Sequence, residues 1–131
     1  MCNINYKDIY SPQSCSHGCS HDCCHGRPRQ THVHEFQGST MLAEECRNRH
    51  NHRFAGVSGE AIFMADGNHR HEVFGNTDFF DNHYHEFERL TGPAIDVGNG
   101  KHVHFVKLKT TKNDGHCHYA QFATLIEDPL L

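Results

Sequence analysis

The chain has 131 residues, among them 15 histidines and 7 cysteines, and a net charge of −4 with histidine neutral. That length serves one domain with a modest core. No basic excess points to nucleic acid as the main partner, and no apolar run approaches the ~20 residues of a membrane span. Adding all the imidazole charges would carry the chain to +11, so acid below the free imidazole pKa of ~6.5 alters it more than most proteins.

Residues 1–30 open the chain without periodic apolar residues. The start MCNINYKDIY lacks a charged region followed by an apolar one, so no secretory signal peptide is expected and synthesis is expected in the cytoplasm. Residues 15–26, CSHGCSHDCCHG, write one tetrad three times: Cys15, Cys19 and Cys23 recur every four residues, as do His17, His21 and His25. Pro12, Gly18, Gly26 and Pro28 break any helix, and GRPRQ reads as a linker. Such a segment cannot build its own core and is expected to be an extended Cys/His-rich arm. Cys2, Cys15, Cys19, Cys23 and Cys24 all lie here, leaving only Cys46 and Cys117 beyond. The total is odd, so at least one thiol is free, bound to metal or paired with another chain. Alternating thiols and imidazoles can bind Zn or Cu(I). In an extended arm, however, positions four apart stand ~13 Å from one another. That spacing suits successive contacts with neighbouring subunits through Cys2, Cys15, His17, Cys19, His21, Cys23, Cys24 and His25, by disulfides or by metal.

Residues 31–131 carry a different pattern. His-x-His occurs six times: His32/His34, His50/His52, His69/His71, His83/His85, His102/His104 and His116/His118. The last five motifs step by 14 and 19 residues in alternation, which gives a repeat of 33. Each of three copies has an HxH, a turn region with Thr40, Thr77 or Thr110, a second HxH, and a small-apolar segment: GEAI at 59–62, GPAI at 92–95 and ATLI at 123–126. Copy one carries four extra residues around Met41–Cys46, which read as a longer loop.

In a strand, positions i, i+2 and i+4 share a face. Two residues after each HxH stands Phe36, Phe54, Val73, Phe87, Val106 or Ala120, so each strand shows His, His, apolar on one side. Glu35, Arg53, Arg70, Glu72 and Glu86 fall on the other, which makes solvated charge a better role for the glutamates than general base. The alternation predicts half-buried antiparallel strands with inward histidines. The fold expected is all-β: three pseudo-symmetric repeats, each an HxH β-hairpin plus a short strand, forming a small barrel or prism behind the N-terminal arm.

Six such motifs point to transition metal, because neutral imidazole suits Zn, Cu, Ni and Fe. If the two HxH strands of one repeat face each other, four histidines make a cross-strand array. Four can close a tetrahedral structural site; three plus water leave an open one. The twelve repeat histidines then serve three sites, one per copy, or one or two shared sites near the axis. Buried histidines held only by hydrogen bonds are the plainer alternative, but twelve inward imidazoles cost free energy unless each nitrogen finds a partner. Zn or Cu is the expected ion.

The segments HVHEF, HNHRFAGVSGEAI, NHYHEF, TGPAI, GKHVHFV and DGHCH resemble the YmaF-like family, histidine-repeat proteins of mostly spore-forming bacteria, over residues 31–131. The resemblance supplies no catalytic residues. In style alone, the arm resembles connectors of bacterial spore-surface and appendage subunits. On the outer face of copy three, Val103, Phe105, Cys117 and Tyr119 stand where the other copies mostly place charge, and an apolar patch of this kind marks an interface. The functional expectation is a non-enzymatic, metal-binding structural protein. It joins copies of itself into a ring or filament, at the cell or spore surface after assembly. A small His-ligated metalloenzyme and a monomeric metal buffer are the rivals.

Overall fold

The structure is a computed structural model that describes residues 30–127. The chain divides into Met1–Gln30 and Thr31–Leu131. The expectations for the arm, and for its Cys2, Cys15, His17, Cys19, His21, Cys23, Cys24 and His25, lie outside the described residues.

The second unit is all-β. Three antiparallel hairpins form its frame: β1 (Glu35–Ser39) with β2 (Arg53–Val57), β5 (Glu72–Asn76) with β6 (Glu86–Leu90), and β8 (Lys101–Lys109) with β9 (Tyr119–Ala123). Their equivalent registers, Phe36↔Gly56, Val73↔Arg89 and Val106↔Phe122, confirm the 33-residue repeat as a unit of structure. The turns of copies two and three use Asp81-Asn82 and Asp114-Gly115, both residues at positive φ. That left-handed pair matches the twist of the flanking strands, and Asn, Asp and Gly adopt it most readily. In copy one the insertion becomes a wider loop containing a 3-10 turn, Cys46–Asn48.

The short strands expected after each hairpin link the repeats instead of extending their own. β3 (Ile62–Phe63) pairs with β4 (His69–Arg70) of the next copy, and β7 (Ala94–Gly98) pairs with β8. In copy three the equivalent segment, Thr124–Glu127, is not a strand. Even so, Leu125 N–H donates to Glu35 O at 2.9 Å, the counterpart of Gly59 to Glu72 (2.9 Å) and Gly92 to Phe105 (2.8 Å). At the opposite end Met41, Asp78 and Thr111 donate to Tyr119, Arg53 and Glu86 at 2.7–2.9 Å. Each repeat therefore bonds the next, and the third returns to the first. The ladders are separate two- and three-stranded sheets, so among the described residues the ring closes through single hydrogen bonds and not as one continuous barrel sheet.

The core is small and aromatic. Phe36, Phe54, Val73, Phe87, Val106 and Ala120, the six positions that follow the HxH motifs, are all buried, joined by Leu108 and by Phe122 at the edge. Phe36 lies 5.7 Å from Phe122 and 6.1 Å from Phe87, centroid to centroid. Burial of a Phe or Val side chain contributes about 1.5–3 kcal/mol, and seven such residues cannot fill a domain of this size. The remaining interior is mostly histidine, with the hydroxyls of Thr40, Ser58, Thr77, Thr91, Thr110 and Thr124 beside it.

Candidate metal centres

The hairpin registers decide which histidines meet. His52 N–H donates to Thr40 Oγ1 (2.9 Å) across the turn end of its hairpin, whereas His34 N–H donates to Ser58 Oγ (3.0 Å) at the open end. The two HxH motifs of one copy therefore sit at opposite ends of the hairpin, and the cross-strand array of four, one site per copy, does not form. Six histidines from three copies converge at each end instead. His32, His34, His69, His71, His102 and His104 make centre 1; His50, His52, His83, His85, His116 and His118 make centre 2. In each, the candidate ligand nitrogens all lie within 4.8 Å of one another. Two shared clusters, the grouping that matches one of the arrangements open from sequence, are observed.

Each centre has two layers. In centre 1 the inner rings of His34, His71 and His104 lie 4.5–4.6 Å apart and the outer rings of His32, His69 and His102 lie 4.8–4.9 Å apart. Each outer ring sits 4.7–5.2 Å from two inner rings and lies across the centre from a third: His32 from His104, His69 from His34, His102 from His71. Centre 2 repeats the pattern with His52, His85 and His118 inside and His50, His83 and His116 outside, at 4.8–5.0 Å. Its opposed pairs are His50/His85, His83/His118 and His116/His52. The inner six histidines are 0–1% exposed.

The tautomers follow from the partners. Among the inner histidines, Nδ1–H of His34, His71 and His104 donates to the carbonyls of Leu125 (2.8 Å), Gly59 (2.9 Å) and Gly92 (2.9 Å). Those of His52, His85 and His118 donate to Asp78 (3.1 Å), Thr111 (2.9 Å) and Met41 (3.0 Å). The outer His50, His83 and His116 use the carbonyls two residues back, Asn48, Asp81 and Asp114. His102 Nδ1 meets Glu127 Oε2 at 3.2 Å. A carbonyl only accepts, so in the neutral ring the proton is on Nδ1 and the Nε2 lone pair points inward.

The Nε2 atoms then crowd together as acceptors. In centre 1, His32–His69, His32–His102, His34–His102 and His69–His102 stand at 3.0–3.1 Å, and His32–His71 at 3.2 Å. In centre 2, His50–His83, His52–His83, His50–His116 and His116–His118 stand at 3.1–3.2 Å. Where both rings hold their proton on Nδ1, as at His34–His102 and in each of these centre 2 pairs, two lone pairs at that distance are not a hydrogen bond; the tautomers of His32 and His69 are not fixed in this way. His85 Nε2 and His104 Nε2, one in each centre, are buried with no partner at all. Orphaned buried acceptors are costly, and a cation at the middle satisfies all six at once. Carbonyls and carboxylates that accept the far N–H of a ligand ring in this way are the common support of metal-bound histidine. The geometry therefore fits two centres that can hold a metal ion each.

Burial opposes protonation of seven of these rings. Burial pushes the imidazoles of His32, His71 and His118 down to about 4 and that of His104 to about 3, and it lowers His34, His69 and His85. Positive neighbours add to the effect; for His32 these are His102, His69 and His34.

Ser58, Thr91 and Thr124, spaced by 33 residues, position the centre 1 ligands by receiving the N–H of His34, His71 and His104 at 3.0 Å. Thr40, Thr77 and Thr110 do the same for His52, His85 and His118 at 2.9–3.0 Å. The second trio is visible in the sequence as the turn threonine of each copy; the first is marked there only by its spacing of 33, the repeat itself. Of the expected interface residues, Phe105 and Tyr119 are exposed, while Val103 and Cys117 are half-buried. Cys46 and Cys117 are free thiols.

Comparison with curated proteins and with solved structures gave no match. A family model described as spore germination protein GerY/YamF matches residues 29–126, a span that contains both centres and every hairpin. The chain belongs to this YmaF family.

Proposed function

We propose that the protein is a transition-metal-binding structural protein whose two centres each take one ion, as staples and as a reserve of bound metal, and that its arm joins it to further copies of itself. The observation that carries the metal reading is the convergence of inward Nε2 lone pairs, with each inner ring locked by a carbonyl of a neighbouring repeat. An enzymatic role is disfavoured by the same feature. Catalytic metal sites keep a position open for water or substrate, and six protein nitrogens about one ion leave none. Assembly into a ring or filament rests on the sequence of residues 1–30, with its clustered, odd-numbered cysteines, and on the exposed Phe105 and Tyr119. The family's description, spore germination protein, supports a role in spores, where a metal-stapled, cross-linked subunit would have a use.

The test is elemental analysis of full-length protein purified without immobilised nickel, with melting before and after chelation. A ligand that binds only the native state at a hundredfold excess over Kd stabilises by about 2.7 kcal/mol, so chelation should lower the melting temperature clearly. Metal-free protein whose melting ignores chelator would sink the metal reading. For assembly, light scattering without reductant should show large species for the full chain and small ones for a chain beginning at Thr31; equal sizes would refute the connector role.

A further inference from the structure

The two centres have a shape as well as a composition, and the shape narrows the ion. Ring centroids in two staggered layers of three with three opposed pairs, with the nearest Nε2 atoms of each centre 3.0–3.2 Å apart, describe an octahedron. A regular octahedron with those edges has its middle about 2.1–2.3 Å from each vertex, the range of a metal–imidazole bond or slightly longer. A tetrahedral Zn site at ~2.0–2.1 Å would need nitrogens about 3.3–3.4 Å apart and only four of them. Centre 1 and centre 2 share this form although their loops differ, so it comes from the threefold frame and not from one loop.

Resting on the metal-binding reading above, we propose that both centres are six-coordinate, all-imidazole sites for a divalent first-row ion of octahedral habit, Fe(II), Co(II) or Ni(II), in preference to Zn(II) and Cu(II). Three physical points support this. The d-electrons of Fe(II), Co(II) and Ni(II) gain ligand-field stabilisation from six equal nitrogens; the filled shell of Zn(II) gains none and its structural sites are almost always four-coordinate. Cu(II) favours tetragonal surroundings, which the hydrogen-bonded inner rings resist: lengthening one axis means moving an imidazole away from its carbonyl. Finally, the ligand nitrogens are neutral and the nearby carboxylates, Glu127 at centre 1 and Asp78, Asp114 and Glu44 at centre 2, touch only Nδ1 atoms, so a divalent ion suits the ligand set better than a trivalent one.

The experiment uses the full chain, stripped of metal and supplied with two equivalents of Co(II), Ni(II) or Zn(II) salt. X-ray absorption at the Co and Ni edges should show six nitrogens at about 2.1–2.3 Å with no sulfur shell, and Co(II) should give the weak visible bands of an octahedral ion. In competition at equal concentrations, Co(II) or Ni(II) should be retained over Zn(II) by about tenfold or more. Four nitrogens, intense tetrahedral Co(II) bands, a sulfur-bearing shell, or Zn(II) winning the competition would each overturn the assignment while leaving metal binding intact. Failure of every ion to bind would instead remove the proposed function itself. The His104→Ala chain gives a second reading, since centre 1 should fall to five nitrogens while centre 2 keeps six.

Discussion

At the scale of single residues, a hydroxyl beside each inner histidine fixes its backbone. Thr91 receives the His71 N–H at 3.0 Å and donates to Gly92 O at 2.9 Å, which in turn orients the segment whose carbonyl holds His104. Replacing Thr91 with valine keeps the volume and removes the acceptor, so a buried N–H is left unsatisfied. The expected loss is about 1–3 kcal/mol, measurable as a lower urea midpoint of the metal-free protein, with Thr91→Ser restoring most of it. An unchanged midpoint in the valine variant would mean the hydroxyl is replaceable by water.

The histidines also set how the metal-free protein answers pH. An unfolded histidine takes a proton near pH ~6.5. In the fold, His32, His71 and His118 wait until about 4 and His104 until about 3, chiefly because they are buried. Below pH ~6.5 the unfolded chain therefore binds more protons than the folded one, and stability falls with acid down to those folded values; above pH ~6.5 it is flat with respect to these groups. Bound metal adds to the same trend, because its ligands must be deprotonated. Thermal melts of the stripped protein should be level from pH 7.5 to about 6.5 and then decline towards pH 4.5, and a series flat throughout would contradict neutral buried imidazoles.

At the scale of elements, the aromatic core constrains the strands beside it. A Cβ on Gly56 would stand 2.7 Å from Cζ of Phe36, its cross-strand partner, and one on Gly38 would stand 2.9 Å from Cζ of Phe54. Phe36 is hemmed in by Phe54, Phe87 and Phe122 and has little room to retreat. Gly56→Ala should cost about 1–3 kcal/mol by overpacking, and Phe36→Leu in the same chain should recover part of it. Gly59→Ala, whose nearest neighbour is Glu72 O at 3.9 Å, is the control expected to melt as the parent does.

Much at this scale is legible in the sequence. Alternation placed Phe36, Phe54, Val73, Phe87, Val106 and Ala120 in the core, and the structure buries all six. The spacing of 33 defined the hairpins. What eluded sequence reasoning was the sorting of histidines. Asp81-Asn82 and Asp114-Gly115 stand immediately before the second HxH of their copies, and such dipeptides mark tight hairpin turns. That fact puts the second motif at the turn end and the first at the far end, so one copy cannot gather its own four. The two sixfold centres depend on how three hairpins lie around an axis, and no local pattern encodes that. The ring closure through Leu125 and Glu35 is equally non-local, because a segment with no strand of its own performs it.

At the scale of the whole domain, order depends on contacts between residues far apart in the chain. His34 and His102 meet at 3.1 Å across 68 positions, and His50 and His116 across 66. Loops of that length are slow to close and cost more entropy than local pairs. The hairpins are local and can form early; the centres can form only when all three are present. Folding of the stripped protein should therefore be slower than that of the metal-supplied protein if the ion gathers the hairpins, and stopped-flow refolding with and without added metal reads this directly. Equal rates would mean that metal enters a finished cage.

The cyclic hydrogen bonding has one more consequence. Each repeat gives one pair of histidines to each centre and bonds only to the repeat before it and the repeat after it. No feature of that arrangement requires the three to be one polypeptide. The domain is, in effect, a trimer whose subunits have been spliced end to end, with the links at β3 and β7 as the splices. A free peptide carrying only the 69–101 repeat already holds what one third of each cage needs. Alone it has too little apolar surface to fold, but three copies around two ions have the complete set of donors. Such peptides are expected to be monomeric in chelator and trimeric with metal, by analytical ultracentrifugation. The covalent chain then fixes the stoichiometry and frees each third to diverge, as the inserted loop of copy one and the longer first strand of copy three, Lys101–Lys109, already have.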